Sequence, residues 1–227
     1  MEAIILAGGF GTRISSVVKD IPKPMAPVNN KPFLQYNLDY LTEQRISRII
    51  LSVGYREEVI KEFFGNVYND IEIVYSEEDK PLGTGGAIKK ALPLARDEHV
   101  FLLNGDSIFK IDYQKFMDDH KKKNGLLSLA LKHIFESDRY GTVKVSNNRV
   151  TEFVEKKSSQ NGDINAGVYI ARKDLFKDVD LPEKFSFEHD FMEKHVTSIN
   201  IFAFCYEGYF IDIGIPEDYF RAQKDFT

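Results

Sequence analysis

The sequence predicts an α/β fold, with a mixed, mainly parallel central sheet flanked by helices, in a single domain spanning residues 1–227. Two observations predict it. Through the first half, apolar runs of strand length alternate with segments of helical period, in a βαβαβαβ rhythm. The 227 residues, 43% of them hydrophobic, suit one domain with a real core.

The elements follow in chain order. "EAIILA" (2–7) is a buried strand, and "FLQYNLDYLTEQ" (33–44) carries Phe33, Leu34, Leu38 and Leu41 at helical spacing. "RIILSVGY" (48–55) is a second strand, and "REEVIKEFFG" (56–65) a helix closed by Gly65. "IEIVYS" (71–76) is a third strand; "GAIKKALPLA" (86–95) is a helix that Pro93 ends or bends. "HVFLLNGD" (99–106) is a fourth strand leading to an aspartate. The second half is richer in strands: "LLSLALK", "TVKVS", "RVTEFVEK", "NAGVYIA" and "INIFAFCY", with a hairpin turning at Asn147-Asn148. "FSFEHDFMEKHV" (185–196) reads as a helix and "FIDIG" (210–214) as a short strand. "IPEDYFRAQKDF" (215–226) is a helix with Pro216 near its start and acids in its first turn.

Composition excludes several classes. A net charge of -5 argues against generic nucleic-acid binding through a basic surface, so an anionic small ligand would need a local basic cluster. Cys205 is the only cysteine, which rules out an internal disulfide and a Cys-rich zinc site. No apolar run approaches the ~20 residues of a membrane span. The N-terminus enters a strand with no basic leader, so a cytoplasmic location is expected. A homodimer is an open assembly state.

The stretch "LAGGFGTR" (6–13) joins the first strand to a glycine-rich loop. It is not a dinucleotide fingerprint, because Ile14 stands where the third glycine belongs, and no Gly-Lys-Ser/Thr of a P-loop occurs. Gly8, Gly9 and Gly11 still allow backbone N–H groups to converge on an oxygen as an anion nest. Arg13 adds a planar cationic fork suited to phosphate. Lys23, between Pro22 and Pro24, is expected to be extended and stiffly held. Two cations after one glycine loop fit a polyphosphate; a tight turn with two surface cations is the plainer alternative. In open α/β sheets ligands bind beyond the carboxyl ends of strands, where Gly8, Gly9 and Asp106 all fall.

"LAGGFGTR" followed by "PKPM" (22–25) resembles the signature of sugar-1-phosphate nucleotidylyltransferases. "PLGTGGAI", "NGD", "YGTV", "VEK", "NAGVY" and "DIGIPEDY" match the same family in order, nearly to the chain's end. The most similar branch is that of compact bacterial members joining GTP to a heptose 1-phosphate. The resemblance implies a Rossmann-like nucleotide-diphospho-sugar transferase fold, with a nucleotide half (1–110) and a sugar half (111–227). It implies two small-molecule substrates, an NTP and a sugar 1-phosphate, with no nucleic acid or membrane partner.

Carried onto this sequence, the resemblance assigns Leu6, Ala7, Gly8, Gly9, Gly11, Thr12, Arg13, Lys23, Glu78, Gly83 and Asp106 to the nucleotide, with Arg13, Lys23 and Asp106 catalytic. It assigns Asp106 and Asp212 to Mg²⁺, which favours one or two carboxylates plus phosphate oxygens. On spacing alone both aspartates could equally be caps. Gly141, Glu155, Lys156, Asn165 and Glu188 fall to the sugar phosphate; Lys156 could also be a solvated strand-end lysine, and Gly141 and Asn165 turn residues. A carboxylate at Glu78 leans towards guanine, which offers paired N–H donors, although uridylyltransferases can carry acids in this loop too. His189, between Glu188 and Asp190, reads as part of a polar helix face, and no histidine shows metal spacing. Two other classes remain open: a non-catalytic nucleotide-sugar binding module, and an oxidoreductase, which the missing third glycine disfavours.

Overall fold

The computed structural model describes residues 1–9, 20–135, 141–154 and 161–226. The chain opens with β1 (Glu2–Leu6), a one-turn 3-10 helix (Lys23–Met25) and a small hairpin of β2 (Pro27–Val28) and β3 (Lys31–Pro32). Then come α1 (Phe33–Glu43), β4 (Arg48–Val53), α2 (Glu57–Phe64), β5 (Val67–Tyr68), β6 (Ile71–Glu77) and α3 (Gly83–Ala91). Pro93 sits in a 3-10 turn directly after α3, and Gly65 caps α2 at φ +59°. β7 (His99–Asn104), β8 (Ser107–Phe109), α4 (Tyr113–Lys123), β9 (Leu127–Ile134), β10 (Thr142–Ser146), β11 (Arg149–Val154) and β12 (Gly162–Arg172) follow. The chain ends through a π-helical segment (Phe187–Glu193), β13 (Ile201–Cys205), β14 (Phe210–Asp212) and α5 (Pro216–Asp225).

Ten strands form one sheet in the order β10-β11-β13-β9-β12-β7-β1-β4-β6-β5. β6, β4, β1 and β7 are parallel, and β9 pairs in parallel with β13; β12 enters antiparallel between β7 and β9. The β10–β11 hairpin turns at Asn147 (φ +51°) and Asn148 (φ +63°), the left-handed pair of a type I′ turn. Asn29-Asn30 and Asn69-Asp70 turn the β2–β3 and β5–β6 hairpins with the same positive φ.

Strand alternation sets the layers. Ala3 and Ile5 face a core shared with Leu34, Leu38 and Leu41 of α1, Ile60 of α2 and Phe116 of α4. Ile4 faces the opposite core, with Ile88 of α3 and Phe187 and Phe191 of the π-helical segment. Helices therefore cover both faces. At the amino ends of the strands, buried Glu2 accepts from Arg48 Nη1 at 2.9 Å and from the amides of Arg96 and Asp97 at 2.6 and 2.7 Å. Burial pushes its carboxyl up, but those three partners outweigh it and hold it below the usual range.

The segment 185–196, expected to be an ordinary helix, contains a π-helical turn in which the Phe191 amide reaches the Ser186 carbonyl. The widened turn buries Phe187, Phe191 and Met192 together. α4 stands outside the expected rhythm, although Tyr113, Phe116, Met117 and His120 mark one buried face.

Candidate active site

Strand order reverses between β1 and β7, and a cleft of about 430 Å³ opens beyond the carboxyl ends of these two strands. That is where ligands sit in doubly wound sheets. Leu6, Gly8, Gly9, Lys23, Glu78, Gly83, Asp106, Glu188 and Asp212 line it, so residues scattered along the chain meet in one place.

Lys23 is the centre of the polar wall. It is 7% exposed, and its Nζ lies 2.5 Å from Asp106 Oδ2 and 3.9 Å from Asp212 Oδ1. The residue is not extended, as its place before Pro24 suggested. Met25 N–H donates to Pro22 O at 2.8 Å and Ala26 N–H to Lys23 O at 3.0 Å, and these bonds close a 3-10 turn that overrides the pre-proline preference. It is Pro22 that is extended, with ψ 141°.

Backbone pairing brings the two aspartates together. Gly105 N–H donates to Leu6 O at 3.0 Å, and a Cβ on Gly105 would stand 2.6 Å from that oxygen, so only glycine lets the turn after β7 cross the end of β1. β8 then pairs antiparallel with β14, setting Ser107 opposite Asp212, and Ile213 N–H reaches Asp106 O at 3.0 Å. The Asp212 carboxylate also accepts from Gly214 N–H at 2.7 Å. Two hard oxygen donors converging on one cation suit Mg²⁺. Among the described residues no group of three or more His, Cys, Asp or Glu could hold a metal unaided, so such an ion would need ligand oxygens to complete its shell.

The opposite wall is the start of α3. Glu78 lines the cleft, but its carboxylate already accepts from Ser52 Oγ at 3.1 Å and Leu82 N–H at 3.0 Å, which shapes the loop leading to Gly83. Gly83 has φ +73°, and a Cβ there would lie 2.5 Å from Phe185 O. This backbone neighbour and the positive φ both require glycine at this place in the cleft wall. Glu188 accepts from Thr84 Oγ1 at 2.7 Å and Ser186 Oγ at 3.0 Å. His189 is exposed and pairs with Glu193 at 3.1 Å, on the helix's polar face.

Other expected residues lie apart from the cleft wall. Ala7 is fully buried and gives its N–H to Ser52 O at 2.8 Å. Asn165 donates to Tyr169 Oη at 2.8 Å and accepts from Gly167 N–H at 3.2 Å, at a bulge in β12. Burial, then the charges of Glu188 and Asp106, drive the Tyr169 phenol well up, so this tyrosine stays neutral. Gly141 is exposed at the start of β10. Gly11, Thr12, Arg13, Glu155 and Lys156 lie outside the described residues. Thr84, Asn104, Pro24, Pro81 and Ala87 line the cleft without having been singled out. Thr84 carried a signal, as the lone side-chain hydroxyl in "GTGGA".

The family model described as nucleotidyl transferase matches residues 2–227. The chain belongs to the nucleotidyl transferase family. A relative from Aneurinibacillus thermoaerophilus, a D-glycero-alpha-D-manno-heptose 1-phosphate guanylyltransferase, is 52% identical over 99% of this chain and 98% of its own length. The enzyme of the same description from Campylobacter jejuni is 48% identical over 97% and 98%. Among solved structures, HddC from Yersinia pseudotuberculosis complexed with GMP-PN superposes with a TM-score of 0.89 at 39% identity, covering 100% of this chain and 99% of that one. This nucleotidyl transferase thus shares its whole α/β architecture with a solved relative. No helix among its described residues is long and apolar enough to cross a membrane.

Proposed function

We propose that this nucleotidyl transferase is a guanylyltransferase that makes GDP-D-glycero-α-D-manno-heptose from GTP and D-glycero-α-D-manno-heptose 1-phosphate. The observation that carries the reading is full-length identity of 52% to a relative of that description. A sugar-phosphate oxygen attacks the α-phosphorus of GTP, the bond from that phosphorus to the bridging oxygen breaks, and pyrophosphate leaves. The nucleophile is ionised near neutral pH, so no general base is required. The work of the site is alignment and neutralisation of charge.

Lys23 supplies a preorganised cation, held by Asp106, at the end of β1 where the phosphates are to be bound. The glycines after β1 offer backbone N–H groups, and the family resemblance adds Arg13 for the triphosphate and Lys156 for the sugar phosphate. Asp106 and Asp212 would hold Mg²⁺, which when bound would neutralise phosphate charge. Glu188 faces hydroxyls of the sugar, because a carboxylate is acceptor-only and repels phosphate. The reaction belongs to the cytoplasm, where its product would be a donor for a surface polysaccharide such as capsule.

The test is a grid of five nucleotides (GTP, UTP, dTTP, CTP, ATP) against heptose, mannose, glucose and amino-sugar 1-phosphates, read as pyrophosphate release with Mg²⁺. GTP with the heptose 1-phosphate is expected to dominate. A dominant UTP–hexose pair would replace this reading, and binding without turnover by folded protein would point to a non-catalytic module.

A further inference from the structure

Two hydroxyls converge on one carboxylate oxygen at the seam of the cleft. Thr84 Oγ1 donates to Glu188 Oε2 at 2.7 Å, and Ser186 Oγ donates to the same atom at 3.0 Å. Glu188 Oε1 makes no hydrogen bond to a described residue, so its lone pairs are left for a ligand. Thr84 and Glu188 both line the cleft, but they come from different walls: Thr84 from the first turn of α3, Glu188 from the π-helical segment.

Thr84 is committed on both sides. While its proton goes to Glu188, its oxygen accepts from Phe187 N–H at 2.8 Å. The adjoining backbones are sewn together as well, with Gly85 N–H on Phe185 O and Phe185 N–H on Leu82 O, each at 3.0 Å. Ser186 caps the segment that carries Glu188, whereas Thr84 belongs to α3 on the other side of the seam. Thr84 is therefore the group that ties the Glu188 carboxylate to the rest of the site.

We propose that Thr84 is a positioning residue for sugar recognition, fixing Glu188 so that Oε1 accepts hydroxyl protons of the sugar 1-phosphate. The inference rests on the transferase reading above and deepens it. Glu188 is acceptor-only and repels phosphate, and it lines the same cleft as Lys23 and Asp106. Sugar selection is thereby coupled to the loop that faces the nucleotide.

The test uses Thr84→Val, which removes the hydroxyl and keeps the branched shape, with Thr84→Ser as rescue. For Thr84→Val, KM for the heptose 1-phosphate is expected to rise about tenfold, the size of one lost charge-assisted hydrogen bond, while KM for GTP stays within about twofold. Amide hydrogen exchange at Phe187 should accelerate, and Thr84→Ser should restore both readouts. Equal rises in both KM values, or none, would overturn the inference. Calorimetric binding of the heptose 1-phosphate is measured in parallel. A wild type that binds this sugar but releases no pyrophosphate defeats the transferase reading alone, and the affinity ratio of Val to wild type still decides the role of Thr84. No sugar binding by the wild type, or equal affinity in the Val variant, overturns it.

Discussion

Lys23 bridges Asp106 and Asp212, its ammonium 2.5 Å from the first and 3.9 Å from the second, with only 7% of the residue exposed. One fixed cation from the start of the chain thus meets two carboxylates, one from its middle and one from near its end. Lys23→Met should cut turnover by about 10²-fold or more, the scale of losing one charge-stabilising group. The same variant removes the ammonium that competes for these two carboxylates, so it should bind Mn²⁺ more tightly than wild type without nucleotide, as read by electron paramagnetic resonance. An unchanged Mn²⁺ affinity would show that Lys23 and a metal do not share these oxygens.

Asp106→Asn keeps the size of the side chain and the backbone bond from Ile213 N–H, but removes the charge. Pyrophosphate release should fall to background in protein that still folds, with a lowered thermal midpoint because Lys23, 7% exposed, loses its nearest carboxylate. Retained turnover would remove Asp106 from any metal-binding role.

Gly83→Ala places a methyl 2.5 Å from the Phe185 carbonyl at a φ of +73°. The strain should cost about 1–3 kcal/mol in urea unfolding and weaken nucleotide binding, since the start of α3 must shift. A variant as stable as wild type would mean that the 185 segment yields freely.

Glu2→Gln tests the far end of the sheet. It leaves Arg48, itself 7% exposed, without its buried carboxylate, a change on the order of 3 kcal/mol for a buried pair broken on one side. Turnover per folded molecule should be unchanged, because Glu2 lies at the opposite end of β1 from the cleft. Loss of turnover at full stability would contradict that separation.

His120 sets an acid limit on stability. It is fully buried, 2.9 Å from His99 and 2.7 Å from Ser128 Oγ, and burial, then His99, Lys121 and Arg172, lower its pKa from 6.5 to about 4. A folded pKa below the unfolded value means that the unfolded chain binds the proton more readily. The stabilising contribution is therefore complete above about pH 6.5 and is lost progressively as pH falls towards about 4. Thermal midpoints of wild type should drop over that window, and those of His120→Gln should drop less.

Much of this architecture is legible locally. Residues 2–7, 48–55 and 71–76 are strand-like because they are apolar and bounded by polar turns, and α1 shows Leu34, Leu38 and Leu41 at helical spacing. α4 is harder to read because a lysine run dilutes its four buried residues. β2, β3 and β5 have two residues each, too brief for periodicity to register. The 3-10 turn at Lys23 and the π turn at Phe187 both depend on backbone bonds that compete with residue-by-residue preference.

The alternation of the longer strands and helices in the first half, the glycine loop after β1, the Lys23 motif and membership in the nucleotidyl transferase family can all be read from the residues in line, since each rests on a local pattern or a motif. The partnerships across the cleft come from packing. Asp212 reaches Asp106 because β14 pairs with β8, and Glu188 reaches Thr84 because α3 lies against the π-helical segment. Local patterning records which side chains are buried, but not which buried surfaces meet. Contacts between distant segments are chosen by the joint packing of sheet and helices, and that choice turned scattered polar residues into one site.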